Sequence, residues 1–171
     1  MKKSKPLLDE AGAHRYALWL LSRRPYTTGG LLEKFRLRAL PTAIAQTVLD
    51  KLIAKKFVND ETYAESFVHF KMSQNWGPTK IRMGLYKKKV PREIIDKTIK
   101  ASYSPEGEGE QAVELLERQK QRFLRKKEKK KGQRLRQAFE FLVRKGYSAS
   151  ASRLAVDKVF SYNSDLSEDD N

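Results

Sequence analysis

The residues able to do chemistry are few, and their spacing argues against catalysis. His14 and His69 lack the paired spacing of a metal site, and no acid cluster completes one. Both read as solvent-exposed or core-satisfied side chains, so no metal is expected. Thr28-Gly29-Gly30 is glycine-rich, but it has neither the Gly-Lys-Ser/Thr ending of a phosphate loop nor a preceding strand. It reads as the opening of a helix. Glu106-Gly107-Glu108-Gly109-Glu110 lacks the ligand order of a calcium loop and reads as a linker. Asp9-Glu10 and Asp60-Glu61 are neighbours along the chain, not a facing acid–base pair. With no cysteine there is no thiol nucleophile, disulfide or thiolate metal site. The expectation is a non-enzyme without cofactors.

What the side chains do supply is positive charge. The 171 residues carry 36 Lys+Arg against 21 Asp+Glu, a net charge of +15, which favours polyanionic partners. Residues 118–134 hold ten basic side chains against one acid, Glu128. They are Arg118, Lys120, Arg122, Arg125, Lys126, Lys127, Lys129, Lys130, Lys131 and Arg134. A second cluster comprises Lys80, Arg82, Lys87, Lys88, Lys89 and Arg92, straddling two expected helices. Each cluster is a candidate footprint on DNA phosphates or on an acidic protein groove. The alternative is a solvated helix face that keeps the chain soluble. Trp76 lies in a loop beside Gly77-Pro78, where it can stack on a base or close over a core between units. Asp165, Glu168, Asp169 and Asp170 mark an acidic end. It serves solubility or folds back weakly to compete with an anionic ligand.

The elements that must carry these residues are helical. Ile44, Val48, Leu49, Leu52 and Ile53 recur at the spacing of one helix face, as do Ile94, Ile95, Thr98, Ile99 and Tyr103. Leu154, Ala155, Val159 and Phe160 make a third stripe. Tyr16, Phe35, Tyr63, Phe67, Tyr103, Phe139 and Phe160 occupy periodic positions and are expected in the core. No sustained alternation flanked by hairpin turns suggests a sheet. Pro41, Pro78 and Pro91 are placed to be first helical residues, and Asp60 to cap the helix that follows it. Gly132 is placed to end a helix or to break the chain before Leu135. The apolar stretch at residues 17–21 is far shorter than the ~20 residues of a membrane span, and too short for a signal peptide. A cytoplasmic protein without membrane contact is expected.

The chain also repeats itself. With Leu40-Pro41, Val90-Pro91 and Tyr147-Ser148 in register, Phe35 aligns with Leu85 and Leu142, and Leu49 with Ile99 and Val156. Upstream, Tyr16-Ala17 matches Tyr63-Ala64 and, more loosely, Ala112-Val113. The expected fold class is all-α: three tandem three-helix repeats, at 13–58, 59–104 and 105–163, forming an elongated, curved array. The third would have a long basic first helix, with a flexible basic segment at 1–12 and a disordered acidic tail at 164–171. Neighbouring repeats would share apolar surface, because three short helices bury little alone. A single compact bundle is the competing architecture. A monomer is expected.

Taken together, these repeats resemble the RecX family of regulators of the RecA recombinase. The carriers are Phe57-Val58-Asn59-Asp60-Glu61-Thr62-Tyr63-Ala64-Glu65-Ser66-Phe67-Val68, then Gly77-Pro78-Thr79-Lys80-Ile81-Arg82 followed by Leu85 and Lys89-Val90. Arg144-Lys145-Gly146-Tyr147-Ser148 is similar to the family's Arg-Gly-Phe-Ser turn. Lys89 stands before Val90 where the family usually has glycine, and Asn59 replaces the first acid of the usual pair. The resemblance implies a regulator lying in the groove of the RecA–DNA filament, bridging subunits. It would restrain RecA ATP hydrolysis, strand exchange and RecA-stimulated repressor cleavage in recombination and DNA repair. Single- or double-stranded DNA would be met directly or through the filament. Two alternatives stand beside it: a direct DNA-binding protein of helix-turn-helix type without a recombinase partner, and an adaptor using its charge for RNA.

Overall fold

The computed structural model describes residues 9–125 and 131–161. Among these the chain forms nine helices and no strand. They are α1 (Glu10–Leu21), α2 (Thr28–Arg36), α3 (Thr42–Ala54), α4 (Asp60–Ser73), α5 (Pro78–Lys87), α6 (Arg92–Ser102), α7 (Pro105–Leu124), α8 (Lys131–Lys145) and α9 (Ala149–Ser161). The all-α expectation holds.

Helix starts follow local chemistry, since each leaves backbone N–H groups that need acceptors. Asp9 accepts from the N–H of Gly12 at 2.6 Å, Thr27 from Gly30 at 2.9 Å, and Ser104 from Gly107 at 2.9 Å. Four expectations shift here. Pro41 and Pro91 sit one residue before the helix, their carbonyls accepting from Ala45 and Ile95, so each is the cap and not the first helical residue. The cap of α4 is Asn59, whose side chain accepts from the Thr62 N–H at 3.0 Å, while Asp60 turns elsewhere. Residues 106–110 are not a linker: they form the first turns of α7, opened by Ser104 and Pro105. Glu106 and Glu108 there suit the positive end of the helix. Gly132 lies inside α8 rather than at a break.

The turn between second and third helix is built three times over. Ala39, Lys89 and Gly146 all have positive φ, at 54°, 60° and 96°. Each donates to a carbonyl three residues back (Arg36, Tyr86, Val143), and the following residue donates five back: Leu40 to Phe35, Val90 to Leu85, Tyr147 to Leu142. This left-handed cap seals the carbonyl end of the helix. The six residues of that outer pairing are all buried, and they are the positions the self-alignment placed in register.

The described chain divides into two compact units. The first holds α1, α2 and α3 with residues 60–67 and 84–98. There α1 and α2 pack on α3 around Leu31, Phe35, Val48 and Leu52. The second holds α7, α8 and α9 with residues 68–83 and 99–104. Its core, around Leu116, Leu142, Ala155 and Val159, lies where α7 packs on α9. Each fully buried Leu, Val or Phe among these contributes roughly 1.5–3 kcal/mol. Of the expected stripes, Ile53 and Leu154 stay 43% and 42% exposed. Leu154 lies across Gly109, where a Cβ would stand only 2.9 Å from its methyl group.

Candidate polyanion-binding site

In the first unit the start of α2 is fastened to the turn before α6. The Thr27 hydroxyl, while capping α2, donates to the carbonyl of Lys88 at 2.5 Å. Asp60, 7% exposed, accepts from both the N–H (2.8 Å) and the hydroxyl (2.5 Å) of Thr28. Gly29 permits the approach, because a Cβ there would lie 2.6 Å from both the Cβ and the carbonyl oxygen of Lys89. This joint brings Lys87, Lys88 and Lys89 beside a strand of chain they follow by some sixty residues.

Between them lies a groove of about 190 Å³. Arg24, Lys34 and the three lysines supply its cations, and Tyr26 and Tyr63 its rings. Arg24 donates through Nε and Nη2 to the Tyr26 hydroxyl at 3.0 and 2.9 Å. The carboxylate lining the groove is Glu33, which accepts from Arg36 at 2.9 Å and, more loosely, from Lys89 at 3.4 Å. The Arg36 hydrogen bond is the main cause that holds the Glu33 carboxyl down at about 2, aided by the charges of Arg36 and Lys89. Burial pushes the Tyr63 phenol above its ordinary value against the opposing charge of Arg24. The arrangement can bind an anion.

In the second unit the turn before α9 lies on the start of α5. Gly77 donates to the Lys145 carbonyl at 2.8 Å and Thr79 to that of Gly146 at 3.0 Å. Lys80 is held there, half-buried, with its Nζ 4.5 Å from the centre of the Trp76 ring. Lys71 approaches the same ring at 4.5 Å, and the Tyr103 hydroxyl donates to the Trp76 carbonyl at 2.7 Å. Trp76 is thus half-buried and already engaged by two ammonium groups, a cation–π arrangement.

The remaining expected contacts scatter. Arg82 is exposed on α5, and Arg92 on α6 faces Asp96 at 3.6 Å. Arg118, exposed, donates to the Asn75 side chain at 3.0 Å; Lys120 is half-buried, and Arg122 and Arg125 are exposed. Lys131 is exposed at the start of α8. Arg134 differs from all of these. At 5% exposure it is inside α8's packing face and does not belong to an exposed basic row. Lys126, Lys127, Lys129 and Lys130 lie outside the described residues, as do the acidic residues at 165–170. The groove adds Arg24 and Lys34, which the charge clusters had not included. Their one sequence signal was the basic pair Arg23-Arg24 just before the Thr27 cap.

Among the described residues no group of three or more acids and histidines is placed to hold a metal. No described helix is long and apolar enough to cross a membrane.

Comparison with known proteins follows the same line. The family model described as RecX, second three-helix domain, matches residues 59–99. The regulatory protein RecX of Trichlorobacter lovleyi is 31% identical over 144 residues, covering 83% of this chain and 92% of that protein. The regulatory protein RecX of Bacillus mycoides is 32% identical over 153 residues, covering 86% of this chain and 53% of that protein. Several curated relatives are longer, and the chain spans little more than half of their length. A crystal structure of a regulatory protein RecX superimposes with a TM-score of 0.72 at 26% identity, over 86% of this chain and 71% of that one.

Proposed function

The chain belongs to the RecX family of regulatory proteins, and from that premise we propose that it binds the RecA–DNA filament and restrains it. It would lie in the filament groove as a cytoplasmic monomer and lower RecA ATPase, strand exchange and coprotease activity. The observation that carries this reading is the clustering of cations in the first-unit groove. A filament assembled along DNA offers a repeating, DNA-loaded groove, and repeats let weak contacts add through effective concentration. Arg82, Arg118, Lys120, Arg122, Arg125 and Lys131 would extend the contact in the second unit, with Lys126, Lys127, Lys129 and Lys130 continuing the charge in sequence. The action is occlusion, or stabilisation of one filament state, without bond chemistry.

The test is the DNA-dependent ATPase of RecA at fixed DNA and salt, with and without this protein. Inhibition at substoichiometric ratios to RecA supports the reading. An effect confined to concentrations that saturate the DNA would replace it with simple competition for DNA.

A further inference from the structure

We propose that the first-unit groove seats a phosphodiester of a nucleic-acid backbone, held mainly by Arg24 and Lys89, and that Glu33 is the internal anion this phosphate displaces from Lys89. The inference concerns the chain by itself and does not depend on the recombinase.

Three features of the groove point to this ligand. First, Lys89 is held loosely. Its Nζ stands 3.4 Å from Glu33, whereas Arg36 contacts the same carboxylate through two nitrogens at 2.9 and 3.3 Å. Glu33 therefore keeps a full partner when Lys89 turns away. Glu33 holds the ammonium at 3.4 Å, at little cost to either group. Second, the donors suit a tetrahedral anion. Arg24 spends two nitrogens on the Tyr26 hydroxyl and retains a third, Nη1, which together with Lys89 can divide the two free oxygens of a phosphodiester. The Tyr63 phenol lines the groove and can donate as well. Third, Tyr26, with the Arg24 guanidinium 4.8 Å from its ring centre, and Tyr63, stacked on Phe67, line the groove, and their remaining apolar surface suits a sugar beside the phosphate. An incoming protein carboxylate would only exchange one carboxylate for another at Lys89 and would leave those rings unused.

Glu33 makes the proposal separable from diffuse electrostatics. If the groove is a seat, removing Glu33's charge frees Lys89 and tightens binding beyond the general effect of one lost negative charge. Arg36 is released by the same substitution, so the excess is read in an Arg36→Gln background, where Lys89 is the cation that gains.

The experiment measures anisotropy of a fluorescein-labelled short oligothymidylate across a salt series, with the full chain and no recombinase. Arg24→Gln with Lys89→Gln is compared with Lys55→Gln with Lys56→Gln, two exposed lysines outside the groove that give the same change in net charge. Circular dichroism confirms that each variant folds. The expected result is a loss of about tenfold or more in affinity for the groove variant, with the slope of log K against log salt reduced by about 0.7 for each phosphate contact removed. In the Arg36→Gln background, Glu33→Gln should tighten binding several-fold, more than Glu65→Gln, an exposed acid outside the groove. An oligonucleotide with an uncharged methylphosphonate backbone should bind the groove variant and the natural chain alike. Equal losses in the two double variants, or equal gains in the two Glu→Gln variants, would overturn the proposal. So would dependence on Arg24 and Lys89 seen with poly-L-glutamate but not with the oligonucleotide, which would assign the groove to an acidic protein. A failure here leaves the ATPase test untouched, because that test reads the filament.

Discussion

Gly77 and Gly146 meet backbone to backbone: a Cβ on Gly77 would stand 2.4 Å from the carbonyl carbon of Gly146 and from the amide nitrogen of Tyr147. Real side chains do not approach backbone so closely, so the turn before α9 rests on the start of α5 only because both residues are bare. Two hydrogen bonds cross the joint, from Gly77 to the Lys145 carbonyl and from Thr79 to that of Gly146.

Gly77→Ala should therefore cost about 3 kcal/mol or more, at the upper end for overpacking, because rigid main chain must move. Gly132→Ala supplies the opposite sign. Gly132 lies within α8 with open space around it, so alanine there should stabilise by up to about 1 kcal/mol. Urea denaturation of the two variants separates a tight joint from a general intolerance of alanine.

The left-handed turn makes a second prediction. Ala39 adopts φ 54° at the position Gly146 fills in the third repeat, and a side chain in that region costs roughly 1–2 kcal/mol. Ala39 is exposed, so its methyl group gives little packing in return. Ala39→Gly should raise stability by up to about 1 kcal/mol, after the entropy that glycine adds to the unfolded chain. A lowered unfolding midpoint would mean that the turn is not strained.

That turn also explains what the sequence could and could not disclose. The register of Leu40, Val90 and Tyr147 was visible because each is a buried residue next to a helix stop, and periodicity reports such positions directly. The absence of glycine before Val90 looked like a departure from the family pattern. It is the same backbone turn, carried by Lys89 at φ 60°. The joints were not visible. Asp60 was expected to cap its own helix because capping is a local rule, yet Asn59 does that work and frees Asp60 for Thr28, 32 residues away. Residues 106–110 read as a linker because glycine at every second position weakens a helix on average. In place, the acids stand at the positive helix end, Glu108 accepts from the Ser148 N–H, and Gly109 makes room for Leu154. The groove was half visible. Lys87, Lys88 and Lys89 announced themselves by density of charge, whereas Arg24 and Lys34 joined them only through tertiary contact.

Glu33 carries a pH prediction whose sign is fixed by its partners. Its folded-state value is lowered from 4.5 to about 2, so its ionised form is favoured by folding. The contribution is complete above the unfolded value and disappears as pH falls from about 4.5 towards 2. Glu33→Gln should thus differ in stability from the natural chain near neutral pH, and that difference should shrink through this acid window. The two urea-denaturation series, taken across pH, check it. Because the carboxylate is exposed, added salt should narrow the gap as well. A difference that persists unchanged at pH 2 would mean that the Arg36 and Lys89 contacts do not govern Glu33.

Arg134 and its neighbours in the basic run should separate into stability and binding. Arg134 is 5% exposed on α8, while Arg122 and Arg125 are exposed at the end of α7. Arg134 packs its stem into the α8 face, and truncating it removes that packing, a loss of about 2 kcal/mol or more. Arg134→Ala should lower the unfolding midpoint yet leave the salt slope of polyanion binding unchanged in the folded fraction. Arg122→Ala with Arg125→Ala should do the reverse, holding stability within about 0.5 kcal/mol and flattening the slope by up to about 0.7 per lost single-strand phosphate contact. Affinity at several salt concentrations, measured well below each variant's melting temperature, distinguishes the two. Should Arg134→Ala flatten the slope at undiminished stability, the side chain would be reaching solvent after all, and the basic surface would extend along α8.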